Sequence, residues 1–157
     1  MKPLLEERGK YDTIIFYMNC YGGDTESGYA IMESLKFLKK KVITINVGVC
    51  YSMAQVVYLC GDVRLCTPSS KFMIHETSFY NTSPKRVGSL EKEIKETMRL
   101  DDKLNNYIIK RTKFNKKSLH KIIESKEDYY YNSTEAVNNG TAHRVIKGFN
   151  LKHILRG

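Results

Sequence analysis

The chain has 157 residues, 41% of them apolar, which fits one domain with a sizeable core and excludes fibrous and disordered classes. No apolar run approaches the roughly 20 residues of a membrane helix, and the opening MKPLLEERGK lacks the apolar centre of a secretion signal, so a soluble, unsecreted protein is expected. The formal net charge of +9 comes from lysines scattered over helix faces and ends, with no RNP, helix-turn-helix or finger pattern beside them, which points to a solvated basic surface and away from nucleic acid.

Tyr11 to Asn19, YDTIIFYMN, is β-branched and aromatic and runs into Gly22-Gly23, which predicts a buried strand ending at a special backbone conformation. Asp24 then caps a helix through Leu38, with Ile31, Leu35 and Leu38 on one face and Lys39 to Lys41 at its end. Val42 to Val47 reads as a second buried strand, Gly48 to Tyr51 as a turn, and Ser52 to Cys60 as a short helix stopped by Gly61. Arg64 to Cys66 and Phe72 to Ile74 are short strands around a turn at Pro68, and residues 76 to 88 are turn-rich and irregular.

Ser89 opens a long helix with Leu90, Ile94, Met98, Leu104 and Ile108 along one stripe, and a small helix follows near Ser118. Asn132 with Glu135 has the form of a capping box, Gly140 ends that helix, and Thr141 to Ile146 returns as a last strand. Strands alternate with helices, so the class is α/β with right-handed crossovers. Cys20, Cys50, Cys60 and Cys66 follow no CxxC spacing and lie mostly in apolar segments; they read as core thiols, with neither a metal site nor a disulfide framework.

Three residues carry the chemistry of acyl transfer. Ser52 stands at the joint between a β-like and a helix-like apolar run, where a sharp turn exposes its Oγ and turns the N–H of Met53 toward the same space. His75 closes the strand FMIH, at a strand end where catalytic groups collect in α/β folds, and Asp128 lies in KEDYYY. A hydroxyl, an imidazole to take its proton and a carboxylate to fix the tautomer form one reactive set. The plain alternative for each is a buried hydroxyl, an edge histidine and a loop acid; Asp101 and Asp102 are weaker candidates for the acid. Gly22-Gly23 before a helix is a tight turn or an oxyanion site, and it lacks the rest of a phosphate-binding fingerprint.

Asn19 to Gly23, Gly28 with Ala30-Ile31, Gly48 with Ser52-Met53, Pro68 followed by Met73-Ile74-His75, and Asp128 before Ser133, Glu135-Ala136 and Gly140 occur in an order that resembles the proteolytic subunit of the caseinolytic protease, ClpP, over roughly residues 11 to 146. The resemblance implies one peptidase domain over residues 1 to 157 with the ClpP/crotonase-like ββα spiral fold. It implies a protruding handle within residues 76 to 112, and a start that lacks the family's N-terminal segment. It implies a hydrolase, a serine endopeptidase with nucleophile Ser52, general base His75, orienting acid Asp128, and an oxyanion hole from the N–H groups of Gly22 and Met53.

Substrate would lie extended along Gly22, Gly23, Glu76 and Thr77. No cofactor or metal is implied, since ATP belongs to a partner AAA+ unfoldase; the other implied partners are copies of the chain or related ClpP and ClpR subunits in heptameric rings, stacked into a chamber, and unfolded proteins, with no membrane. The implied compartment is cytoplasm, plastid stroma or an organelle matrix. A non-catalytic ClpR-like ring subunit, a phage-type capsid maturation protease and a crotonase-like enzyme acting on acyl-CoA are the alternatives. Cys20-Tyr21, Tyr51, Glu76-Thr77 and Glu127 depart from the family's usual residues.

Overall fold

The computed structural model describes residues 12–78 and 86–148. The strand β1 (Thr13–Cys20) and helix α1 (Thr25–Phe37) lead into the long strand β2 (Lys41–Tyr51) and short helix α2 (Met53–Tyr58). Strands β3 (Val63–Cys66) and β4 (Lys71–Ile74), helix α3 (Val87–Arg111) and helix α4 (Lys116–Glu124) follow. The described chain ends with β5 (Tyr129–Asn132), α5 (Ser133–Asn138) and β6 (Arg144–Val145). The sheet runs β5-β4-β2-β3-β6, with β1 also on β2; every pairing is parallel except β4 with β5.

Strand β2 organises the molecule because it is flanked on both sides, and its Val42 to Asn46 stretch is buried without alternation, as an interior parallel strand requires. Its polar members are satisfied: Thr44 Oγ1 donates to the Tyr58 carbonyl at 2.8 Å and Asn46 Nδ2 to the Lys71 carbonyl at 3.0 Å. The expected turn at Gly48 to Tyr51 is instead the second half of this strand, longer than the sequence suggests. Val49 N–H, where a bulge between Met18 and Cys20 breaks the ladder, donates to Asn19 Oδ1 at 3.0 Å. Gly48 makes room for that carboxamide, since a Cβ there would lie 2.4 Å from Asn19 Oδ1. The bulge shifts the register, and the two strands pair again at Cys20 and Cys50.

The main core lies between the sheet and α2, where Met53, Val56, Val57, Tyr58 and Leu59 pack with Phe72, Tyr131, Leu104, Ile108 and Leu119. A smaller cluster of Ile43, Ile45 and Leu65 fills the opposite face. Buried Arg64 joins distant parts of the chain: its guanidinium donates to the carbonyls of Thr141 at 2.7 Å, Arg111 at 2.9 Å and Gly140 at 3.0 Å. Arg111, closing α3, donates to the carbonyls of Leu59 and Gly61 at 2.9 and 2.6 Å.

Several expectations change. In α1 the inward face is Gly28, Met32 and Leu35 with the cap Leu38, while Ile31 is exposed. Helix α3 begins at Val87, and only Leu104 and Ile108 of its stripe are buried; Ile94 and Met98 are exposed because the first half of the helix runs past the core. Strand β5 adds an element that the sequence pattern does not announce, and the last strand shrinks to two residues. Cys50 and Cys66 are buried, Cys60 is partly buried and Cys20 is exposed. Of the irregular stretch 76 to 88, residues 79–85 lie outside the described residues. Among the described residues no helix is long and apolar enough to cross a membrane.

Candidate active site

Strands β2 and β4 run parallel and end together, with Tyr51 opposite Met73, and Ser52 N–H donates to the Met73 carbonyl at 2.9 Å. This pairing carries Ser52 and His75 out side by side at the carboxyl ends of adjacent strands, where α/β sheets place their sites. Ser52 turns the chain from strand to helix with φ 52° and ψ −129°. Its Oγ lies 2.7 Å from His75 Nε2, so an imidazole carrying its proton on Nδ1 accepts the hydroxyl hydrogen.

Gly22 packs its backbone directly on this turn. A Cβ at Gly22 would stand 2.7 Å from the Tyr51 carbonyl oxygen, 2.9 Å from Ser52 Cβ and 3.1 Å from Met53 N, and its φ of 95° also favours glycine. Gly22 and Met53, the two residues expected to supply oxyanion donors, therefore adjoin each other beside Ser52. Gly22 N–H is engaged by Cys20 Sγ at 3.4 Å. Gly23 and Glu76 are exposed on the same cleft, and Thr77 Oγ1 donates to Asp101 on α3.

The β4–β5 register sets Ile74 opposite Tyr129 as the last pair of the ladder, with His75 and Asp128 each one residue beyond it. The structure does not join their side chains. Asp128 Oδ2 accepts the Tyr130 hydroxyl at 3.0 Å, and the hydrogen bond His75 makes among the described residues is to Ser52. Tyr130 also meets Tyr51 edge-on at 5.4 Å, and Tyr51 meets Tyr21 at 5.6 Å, so the tyrosine before Ser52 forms part of an aromatic rim.

The cleft beneath that rim has a volume of about 860 Å³. Its deep wall is apolar, with Met53, Val56, Ile74, Leu104, Ile108 and Ile123, and its charged lining is Asp24, Glu76 and Asp101, with no lysine or arginine among the described lining residues. The opening therefore has the opposite sign to the chain as a whole, whose formal charge is +9. Burial raises the Asp101 carboxyl above its ordinary range, Thr77 opposes that by hydrogen bonding, and Asp102 and Glu76 add to it. Asp101, a weaker candidate for the acid from sequence, thus lines the cleft while bonded to Thr77.

Sequence reasoning missed two members of this site. Tyr130 gave no local signal, because its role depends on β5. Gln55 did give one, as a lone carboxamide in the apolar run Met53 to Cys60. It is 1% exposed and lines the cleft.

The Clp protease family model matches residues 3–148, nearly the whole chain. The chain is 33% identical over 147 residues to the ATP-dependent Clp protease proteolytic subunit of Deinococcus radiodurans, covering 91% of this chain and 69% of that protein. It is 33% identical over 135 residues to proteolytic subunit 2 of Prochlorococcus marinus, covering 85% and 65%. It is 29% identical over 144 residues to proteolytic subunit 3 of a Synechococcus strain, covering 90% and 70%. The chain spans about two thirds of the length of these relatives. With its mixed sheet flanked by helices, it belongs to the Clp protease proteolytic subunit family and has the α/β fold of ClpP. At the level of the family the chemistry is serine-type peptide hydrolysis.

Proposed function

We propose that this chain is a serine endopeptidase subunit of a Clp-type protease, and the 2.7 Å contact between Ser52 Oγ and His75 Nε2 carries the reading. Ser52 Oγ attacks the peptide carbonyl as His75 takes its proton. The carbonyl oxygen, now negative, meets the N–H groups of Met53 and Gly22, the second released from its weak bond to the Cys20 sulfur. His75 returns the proton to the leaving amine, and water repeats the sequence on the acyl-enzyme. Asp128 orients His75 once it leaves Tyr130 for Nδ1.

Gly22, Gly23, Glu76 and Thr77 hold the substrate backbone extended along the cleft. Heptameric rings of this chain, alone or with related subunits, enclose the sites, residues 76–112 join ring to ring, and an AAA+ unfoldase supplies unfolded polypeptide. The test is labelling by a fluorophosphonate probe together with peptide turnover. Wild type labels and Ser52→Ala does not, with turnover falling on the order of 10⁶-fold where chemistry is limiting. Equal turnover in the two proteins overturns the reading.

One observation favours a second reading, a non-catalytic ring subunit: the Asp128 carboxylate is held by Tyr130 and not by His75. A wild-type chain that joins rings but never labels at Ser52 would establish it.

A further inference from the structure

The stripe that Leu90, Ile94, Met98, Leu104 and Ile108 mark along α3 passes through position 101, midway between Met98 and Leu104, and the residue there is an acid. Asp101 is half-buried on the face that carries Leu104 and Ile108 into the cleft wall. Burial raises its carboxyl, the hydrogen bond from Thr77 opposes the rise, and Asp102 and Glu76 add to it. An apolar side chain would serve the fold better there, because a carboxylate withdrawn from water and faced by like charge is costly. The acid therefore has a use other than packing.

That use lies in Thr77, two residues beyond His75. Residues 76–78 leave β4 after its last pair, Ile74 with Tyr129, and their backbone makes no hydrogen bond among the described residues. Thr77 Oγ1, donating to Asp101 Oδ1, is what fastens them. Helix α3 does not depend on this bond, since Leu104 and Ile108 are buried in the main core and the Tyr29 hydroxyl donates to the Leu100 carbonyl at 3.4 Å. The bond therefore fixes the segment and not the helix.

We infer that Asp101 is a positioning residue of the proposed peptidase: through Thr77 it holds the backbone of residues 76–78 beside Ser52 and His75 as the edge on which an extended substrate pairs. The inference rests on the peptidase reading. An open backbone edge takes up an extended peptide through main-chain hydrogen bonds, and an edge already in line loses less on binding. When the edge is in line only part of the time, apparent affinity falls by that fraction. Ser52 and His75 stand at the ends of the paired strands β2 and β4, so losing the tether is felt in KM before kcat.

The test measures KM and kcat separately on an internally quenched peptide that the wild type cleaves. The variants are Asp101→Leu, which completes the apolar stripe, Thr77→Val, which keeps the shape of threonine without its donor, and the two combined. Each single variant should raise KM about tenfold, the effect of losing a hydrogen bond to a charged group, and lower kcat by less than about threefold. The combined variant should be no worse than either, because both remove the same bond. Thr77→Ser keeps the donor and Asp101→Asn an acceptor, so both should stay within about threefold of the wild-type KM. If Asp101→Leu fails to fold, Thr77→Val decides, being a change of one group on a half-exposed residue.

A wild-type KM in Thr77→Val and Asp101→Leu overturns the inference and leaves the peptidase reading standing. So does a combined variant whose KM rises by the product of the two single effects. An Asp101→Asn chain whose KM rises as far as that of Asp101→Leu overturns it as well, since the role is then the charge and not the bond. A wild type that neither labels with the fluorophosphonate nor cleaves any peptide overturns the peptidase reading, and this inference with it.

Discussion

Gly22 and Tyr130 act on the proposed chemistry in opposite senses, Gly22 by packing its backbone on the Ser52 turn and Tyr130 by holding Asp128 away from His75. Adding one methyl at Gly22 forces its backbone off the Tyr51 carbonyl and Ser52 and adds strain at φ 95°. Gly22→Ala should lower peptide turnover by about a hundredfold or more, the usual effect of losing one oxyanion donor, and fluorophosphonate labelling rates measure the same loss. Removing the Tyr130 hydroxyl frees the Asp128 carboxylate, so Tyr130→Phe should raise turnover if His75 is the group Asp128 then reaches; unchanged turnover would mean that Tyr130 does not restrain it. Ser52 and His75 were legible one by one, from a serine and a histidine at the ends of apolar runs. Their contact was not, because it depends on β2 and β4 pairing across 23 residues of sequence. Gln55 was legible only as an oddity, since its burial depends on what α3 and β5 cover.

The last segment of the described chain is fastened by single residues reaching across it. Arg64 on β3 holds the carbonyls of Thr141, Gly140 and Arg111, so Arg64→Met leaves several buried acceptors bare and should cost about 3 kcal/mol or more in chemical denaturation. Beside it, His143 Nδ1 accepts Arg64 N–H at 3.2 Å, which requires an unprotonated nitrogen. Burial, and then the charges of Arg64 and Arg111, push His143 below the ordinary imidazole range. The unfolded chain therefore binds this proton first. The contribution of His143 is fully present above about pH 6.5 and is lost as pH falls through its lower folded value. The melting temperature should drop across that window, and His143→Gln should flatten the drop.

Helix ends were the most legible parts of these elements, because their chemistry is local: Asp24 accepts from Ser27, and Asn132 and Glu135 cap each other's backbone as read. Strand β5 was not legible, since Tyr129 to Tyr131 show no alternation and gain their strand character from pairing with β4.

For the molecule as a whole, the first half of α3 is the part that a single chain does not complete. Val87 is 74% and Met98 63% exposed on a helix whose later residues Leu104 and Ile108 are buried. In the proposed rings this half joins another copy, so Met98→Glu should shift sedimentation toward smaller particles while leaving the melting temperature of the subunit unchanged. The apolar stripe was legible from spacing alone, but spacing cannot tell whether the covering surface lies in the same chain. Ser52 bears on the whole molecule too, through its backbone. At φ 52° and ψ −129° any Cβ is unfavourable by about 1–3 kcal/mol, and glycine is free of that strain. Ser52→Gly should therefore melt higher than both wild type and Ser52→Ala while cleaving nothing; equal melting would show that the turn stores no strain. In the proposed peptidase the bend at Ser52 therefore trades durability for reactivity, and a single substitution to glycine reverses the trade.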